Sequence, residues 1–153
     1  MIYMIWCEDI NHGIGKNNHL PWRIKEELQH FKNTTLNQTL VCGRKTMESM
    51  NNKPLVGRKH LVLTRSSNYH PHPEIKIYHD HLKIIDEYKN KDLYIIGGKE
   101  IYNLFMPYAD VLIITTLNDS YDCDLFFNPD LTNFQKTKTR IYKLFTINWY
   151  NRK

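Results

Sequence analysis

Apolar residues run along this chain in short blocks, separated by polar stretches of helical spacing. The opening block, MIYMIWCED over residues 1–9, predicts a strand. A Gly/Asn-rich loop over 10–22 follows, and then a helix over 24–35. At about 100° per residue, Ile24, Leu28 and Phe31 share one stripe of that helix. Glu27 falls on the same stripe, whereas Lys25, Glu26, Gln29 and His30 take the opposite face. A carboxylate on the predicted buried side needs a reason. Further on, TLVCG (39–43) predicts a buried strand and 45–51 a short helix. A turn at 54–57 leads to a strand ending near Thr64. EIKIYH (74–79) alternates as a strand, and 81–89 has helical spacing. DLYIIGG (92–98) is an apolar strand stopped by two glycines, and KEIYNLFMPYA is a helix ended by Pro107. DVLIITTL (110–117) predicts a long buried strand, with two more near 133–139 and 143–151.

Strands alternate with helices and then follow one another directly. This order predicts an α/β fold: a doubly wound, mostly parallel sheet, covered on both faces and closed by an antiparallel carboxyl-terminal hairpin. At 153 residues the chain suits one domain, spanning 1–153. Ligands of such sheets bind at the carboxyl ends of the strands. The exits to inspect are therefore CGRKT, LTRSS and IIGGKE.

Composition narrows the function classes. Hydrophobic residues make up 41% and charged residues 24%, a globular balance rather than a disordered one. No apolar run approaches the roughly 20 residues of a membrane span, and the amino terminus lacks a basic leader or small-residue cleavage site. Cys7, Cys42 and Cys123 are odd in number and irregular in spacing, which fits a reducing cytoplasm better than a disulfide framework. The net charge of +5 reads first as a composition bias with a solvated basic surface; the sharper reading is an anionic partner, but Lys and Arg are scattered rather than clustered with aromatics. A small polyanion such as a phosphorylated cofactor suits that scatter better than nucleic acid. His70, His72, His79 and His81 form no metal-ligand box and read as surface residues.

The strand exits carry plausible chemistry. In GRKT, Gly43 permits a sharp turn, and Arg44, Lys45 and Thr46 then meet a phosphate beside free helix amides. In TRSS, Thr64 and Arg65 supply a hydroxyl and a guanidinium for a second, terminal phosphate. Gly97 and Gly98 let backbone approach a ligand closely, and Arg58 in PLVGRK offers a fork for a carboxylate. Each motif alone has an ordinary reading as a turn or a cap.

Taken in order, MIYMIWCED, GIGKNNHLPW, one acid ahead of LQHF, VCGRKTMES, PLVGRKHLVLTR, YIIGGKEIY, DVLIITTL, DLFF and FTINWYNRK resemble the dihydrofolate reductase family across essentially the whole chain. The resemblance implies an eight-stranded sheet with four flanking helices, and NADPH-dependent reduction of 7,8-dihydrofolate to tetrahydrofolate. It implies that Glu27 is the acid at the pterin's amidine edge, assisting protonation of N5 while nicotinamide delivers hydride to C6. Thr115 matches the residue joined to that acid through water, and Trp22 the indole that holds the pocket's water. Ile5, Leu28, Phe31, Met50, Leu55, Ile96 and Tyr102 match the folate pocket, with Lys53 and Arg58 at the glutamate tail. Trp6, Cys7, Ile14, Gly15, Leu63 and Ile101 match the cofactor channel, together with Gly43, Arg44, Lys45, Thr46, Gly97, Gly98, Lys99 and Glu100. Thr64 and Arg65 match the 2′-phosphate site, so NADPH is expected over NADH. Gly97-Gly98 matches a cis peptide, the 10–22 loop a lid over nicotinamide, and Asp124 its tether.

Some positions depart from the family pattern. Cys7 stands where many members have Ala, and its side chain is expected against the nicotinamide carboxamide. Met47 replaces a common aromatic, and Glu100 stands where some members place a basic residue near the phosphates. The short segment before the last strand predicts a trimmed hairpin. A pyrimidine reductase of riboflavin synthesis shares the fold but gives no reason to keep LPW, Glu27 and Arg58 together. A basic nucleic-acid-binding module would need a basic face that the pattern does not mark. The resemblance further implies diaminopyrimidine antifolates as ligands, no metal, no membrane partner and a monomer.

Overall fold

The computed structural model describes residues 1–153. Ten strands, four α-helices and one 3-10 turn follow in the order β1 (Ile2–Glu8), β2 (Gly13–Gly15), α1 (Lys25–Thr35), β3 (Thr39–Gly43), α2 (Arg44–Ser49), β4 (Lys59–Leu63), β5 (Ile75–Tyr78), α3 (His81–Glu87), β6 (Leu93–Gly97), α4 (Lys99–Phe105), a turn at Met106–Tyr108, β7 (Val111–Leu117), β8 (Leu125–Phe126), β9 (Phe134–Ile141) and β10 (Phe145–Arg152). Eight strands form one sheet in the order β5-β4-β3-β6-β1-β7-β10-β9. β1, β3, β4, β5, β6 and β7 pair in parallel, and β10 joins β7 and β9 antiparallel. The expected doubly wound sheet with its closing hairpin is present.

Strand alternation divides the side chains between two faces. Met4, Trp6, Leu61, Ile95 and Leu112 pack with Ile101, Tyr102 and Phe105 of α4 on one face. Ile5, Trp22, Ile24, Tyr94, Ile113 and Ile147 pack on the other, where α1 lies and where Cys7, Phe31 and Leu55 join them. Cys42, Met47, Val62 and Ile75 form a smaller cluster under α2, so Met47 fills its place as a buried core residue. Helix α1 forms from a run of good helix formers with Glu26 and Glu27 in its first turn and Lys32 in its last, as the helix dipole favours.

Three details differ from expectation. The loop after β1 is not wholly irregular: β2 lies within it and pairs with β8. Leu28, expected on the buried stripe, is 39% exposed, because Glu27 and Ile24 take the inward positions and Leu28 sits at the rim. The trimming of the hairpin falls on its connection, Tyr142–Leu144, while both strands run eight residues.

Candidate active site

Strands β3, β4 and β6 all end at one cleft of about 1110 Å³. From the end of β3 come Gly43, Arg44, Lys45 and Thr46; from β4, Leu63, Thr64, Arg65 and Ser66; from β6 and α4, Gly98, Lys99, Glu100 and Ile101. The three exits expected from the sequence thus line a single cavity. A Cβ on Gly43 would stand 3.0 Å from the Ile101 side chain, so the glycine keeps the cleft floor open there. Gly97 has φ +117° and is joined to Gly98 by a cis peptide bond. A side chain at Gly97 would also run into the Tyr102 ring.

The cleft's charges are partly committed within the protein. Arg65 Nη2 donates to the Glu100 carboxylate at 2.9 Å, and Arg44 Nε lies 3.4 Å from the Glu48 carboxylate. Lys45 and Lys99 have no carboxylate partner. Arg65 is 92% exposed, so its pair with Glu100 is screened and yields readily to another anion. Glu100, the departure from the family pattern, therefore sits directly on the residue expected to hold a phosphate. His79, exposed as expected of a surface residue, and the half-buried His81 also line the cleft, and His79 Nδ1 is 2.7 Å from the Thr64 carbonyl. Their spacing on either side of a strand-to-helix turn was the signal available in the sequence.

On the α1 face of the sheet lies the apolar cluster that the sequence reading assigns to the substrate pocket. Glu27 of α1 is only 7% exposed and meets the Cys7 thiol, which packs on the cluster of Ile5, Trp22 and Ile24 that Phe31 also joins. Burial pushes its carboxyl above the ordinary value, and the Cys7 thiol pulls it part of the way back. Alternation along β1 explains the contact: Cys7 shares the face of Ile5, and Trp6 turns to the opposite face, where it packs tilted against Tyr102 and edge-on against Phe127. The Cys7 side chain, expected against the nicotinamide carboxamide, meets the Glu27 carboxyl within the protein. Burial and the nearby charges of Glu27 and Glu8 push the Cys7 thiol well above its usual value, so it remains a neutral donor. Thr115 is 1% exposed and pairs across the sheet with Cys7, which brings it to the same end of the pocket. The Trp22 indole N–H is buried and has no partner of ordinary hydrogen-bond geometry, although the Cys7 sulfur is close enough to feel it.

The pocket's outer wall is braced from below. Arg58 donates to Thr35 Oγ1 at 3.3 Å and to the Val56 carbonyl at 3.1 Å, which holds its guanidinium at the end of α1. His60 is 1% exposed, and its Nε2 accepts from the Leu55 backbone N–H at 2.9 Å. Burial lowers the His60 pKa, which keeps that nitrogen an acceptor. Met50 is half-buried, and Lys53 is exposed on the same loop. Tyr102 is buried, and its hydroxyl donates to the Ile5 carbonyl at 2.8 Å, so it reaches the pocket only through β1. Gly15 and Ile14 lie in β2, and Asp124 holds that segment: its N–H donates to the Gly15 carbonyl at 2.9 Å, and its Oδ2 accepts from the Asn17 N–H at 3.0 Å. Asn18 then reaches across to the Lys45 carbonyl at 2.8 Å.

Sequence reading missed His60, Asn18, Tyr121 and Asp9. Tyr121 packs edge-on against Trp22 at 5.4 Å, and Asp9 is a fully buried carboxylate. Asp9-x-Asn11-x-Gly13 has the spacing of an Asx turn, a signal that was open to inspection.

A basic, glycine-floored cleft and an apolar cluster with one buried acid fit the class of oxidoreductases that set a dinucleotide against a small polar ring. The comparisons agree. The family described as dihydrofolate reductase matches residues 1–151. The dihydrofolate reductase of Ureaplasma parvum is 40% identical over 153 residues, which cover 100% of this chain and 98% of that protein. A protein of Mycoplasmoides gallisepticum described as segregation and condensation protein A is also 40% identical over the whole chain, but the match is 26% of its length. The structure of the dihydrofolate reductase from Enterococcus faecalis complexed with NADP(H) and RAB-propyl superposes with a TM-score of 0.93 at 29% identity, covering 99% of this chain and 96% of that one. This chain belongs to the dihydrofolate reductase family, and it is an NADPH-dependent enzyme that reduces 7,8-dihydrofolate to tetrahydrofolate.

Proposed function

We propose the following division of roles among this chain's residues. Glu27 recognises the pterin's amidine edge and raises the basicity of N5. The observation that supports this is a single carboxylate, 7% exposed, held among apolar walls with its affinity for protons raised by burial. Such a group exchanges its desolvation cost for two hydrogen bonds to a cationic or proton-seeking ring edge. Cys7 donates toward the carboxylate from β1, and Thr115 lies beside it on β7. Trp22's unpartnered indole N–H supports a role in holding the water through which the proton reaches N5. Ile5, Leu28, Phe31, Met50, Leu55 and Ile96 orient the ring and the aminobenzoyl group. Arg58, already angled by Thr35, takes the glutamate carboxylate, with Lys53 nearby.

The cleft suits NADPH, which supplies the hydride when bound. Its donors match that polyanion: lysines free of carboxylates, hydroxyls at Thr46, Thr64 and Ser66, and a floor that a Cβ at Gly43 would narrow. Arg44, Lys45 and Thr46 hold the diphosphate, and Thr64 with Arg65 holds the 2′-phosphate once Arg65 releases Glu100. Gly97 and Gly98 lie at the seam between cleft and pocket, where backbone must approach the nicotinamide. Trp6 and Ile101 support that seam from the far face.

The chain acts as one domain, a monomer in the cytoplasm, with its three cysteines as free thiols. Recurrence of a similar stretch, 40% identical, within a much longer protein supports its behaviour as a unit. Diaminopyrimidine antifolates bind through Glu27. The test is NADPH absorbance decay with dihydrofolate for the wild type and Glu27→Gln. Rapid decay in the wild type and slow decay in the variant support the assignment; equal rates remove Glu27 from it.

A further inference from the structure

We propose that Asp9 is a positioning residue for the reaction: its carboxylate clamps the loop after β1 to the segment before β8, and so holds the nicotinamide side of the site closed. Asp9 is 0% exposed and does not line the cofactor cleft. Its two oxygens divide their work between the two loops. Oδ1 accepts from the backbone N–H of Asn11 at 2.9 Å and of Gly13 at 2.8 Å. Oδ2 accepts from the Tyr121 N–H at 2.9 Å and faces the Cys123 thiol at 3.8 Å. Burial acts to raise this carboxyl, but the N–H groups of Tyr121, Gly13 and Asn11 outweigh it and hold the carboxyl below its ordinary range. Four donors converging on two oxygens call for a carboxylate, because an amide offers one accepting oxygen and turns an NH2 group toward the other loop.

The two loops are packed about as closely as glycine allows: a Cβ at Gly13 would stand 2.5 Å from Cys123. The clamp passes to both ligand sites. Tyr121, held by Asp9 through its backbone, sets its ring edge-on against Trp22 in the substrate pocket. On the other side, Gly13 leads through β2 to Gly15, Asn17 and Asn18, and Asn18 closes on Lys45 at the cofactor cleft. Neighbouring contacts run in the same direction: Asn11 Nδ2 donates to Ser120 Oγ at 3.0 Å, and the Ile10 N–H donates to the Asp119 carbonyl at 3.2 Å. An element built this way fixes where the loop rests, and loop closure commits cofactor and substrate together.

The inference rests on the reading that NADPH occupies the cleft, and the experiment separates the two. Affinities for NADPH and for 2′,5′-ADP, which carries the adenosine phosphates without nicotinamide, are measured on the full chain and on Asp9→Asn. NADPH affinity is expected to fall about tenfold and single-turnover hydride transfer to slow by a similar factor, with 2′,5′-ADP binding within about twofold of wild type. Cys123→Ala removes the one side-chain donor on Asp9 Oδ2, from the far loop and without unsettling a buried charge, and gives the same split at about threefold. Equal losses for NADPH and 2′,5′-ADP, or no loss for either, overturn the clamp and leave Asp9 a stability residue alone. If Asp9→Asn does not fold, the Cys123→Ala split decides. A folded wild type that binds neither ligand sinks the reading of the cleft itself, and the clamp with it.

Discussion

The cofactor cleft and the substrate pocket lie on one sheet but recognise ligands by opposite means. The cleft is broad and exposed, and its cations and hydroxyls come from three loops; Arg65 rests against Glu100 in water. The pocket is apolar and carries one carboxylate, sunk to 7% exposure and biased toward the proton. In the cleft each charge is screened, so recognition is a sum of many small contributions. In the pocket a single charge is weakly screened, and one side chain decides the outcome. The polyanion is thus read by number, and the ring by one well-placed group.

The contrast is broken most directly at Glu27. Glu27→Gln is expected to slow hydride transfer at neutral pH by about 100-fold or more, the scale of a lost proton-donating group. The same variant is expected to melt higher than wild type at neutral pH. Because burial raises the Glu27 pKa, the folded state holds more protons than the unfolded chain between the two pKa values. Stability therefore falls as pH rises through that window, and the cost is complete above the folded value. A melting-temperature difference that does not grow with pH would contradict this account.

Next in size is Arg65→Ala, expected to weaken NADPH by roughly 10- to 100-fold, as for a charge-assisted phosphate contact, while NADH changes little. Equal losses for both cofactors would remove Arg65 from the 2′-phosphate. A smaller effect sharpens the comparison inside the pocket. Cys7→Ala removes the thiol that pulls Glu27 downward, so the pH–rate profile should shift to higher pH; a profile unchanged from wild type would mean that the thiol does nothing to Glu27. The smallest effect belongs to the cleft. Glu100→Gln frees Arg65 and should tighten NADPH about twofold at low salt, and the gain should fade as salt rises. Titrations at two ionic strengths check it, and a loss of affinity would show instead that Glu100 orients Arg65.

Much of this site could be read from local pattern. Strand periodicity and glycine punctuation placed the three exits GRKT, TRSS and IIGG, and all three meet in one cleft. The helical spacing that put Glu27 on the stripe of Ile24 also put it in the pocket, because a rigid helix carries its periodicity directly into space. The same spacing misplaced Leu28: whether a position flanking the stripe is covered depends on how far the neighbouring loop reaches, and that is not local information. Resemblance extended the reading to the cis Gly97-Gly98 bond and to the tether at Asp124.

Residue types at helical and strand spacing were thus enough to set the order of elements, the parallel sheet with its antiparallel close, and the acid that faces the core. These depend on neighbours a few residues apart, and the chain's covalent geometry fixes them. Which distant groups touch was settled by packing. Arg65 met Glu100 across 35 residues, Cys7 turned its thiol to Glu27, His79 joined a cleft wall, and Asp9 gathered donors from a loop 112 residues away. A side chain's partner across the fold depends on the summed geometry of every element between, so no window of sequence contains it.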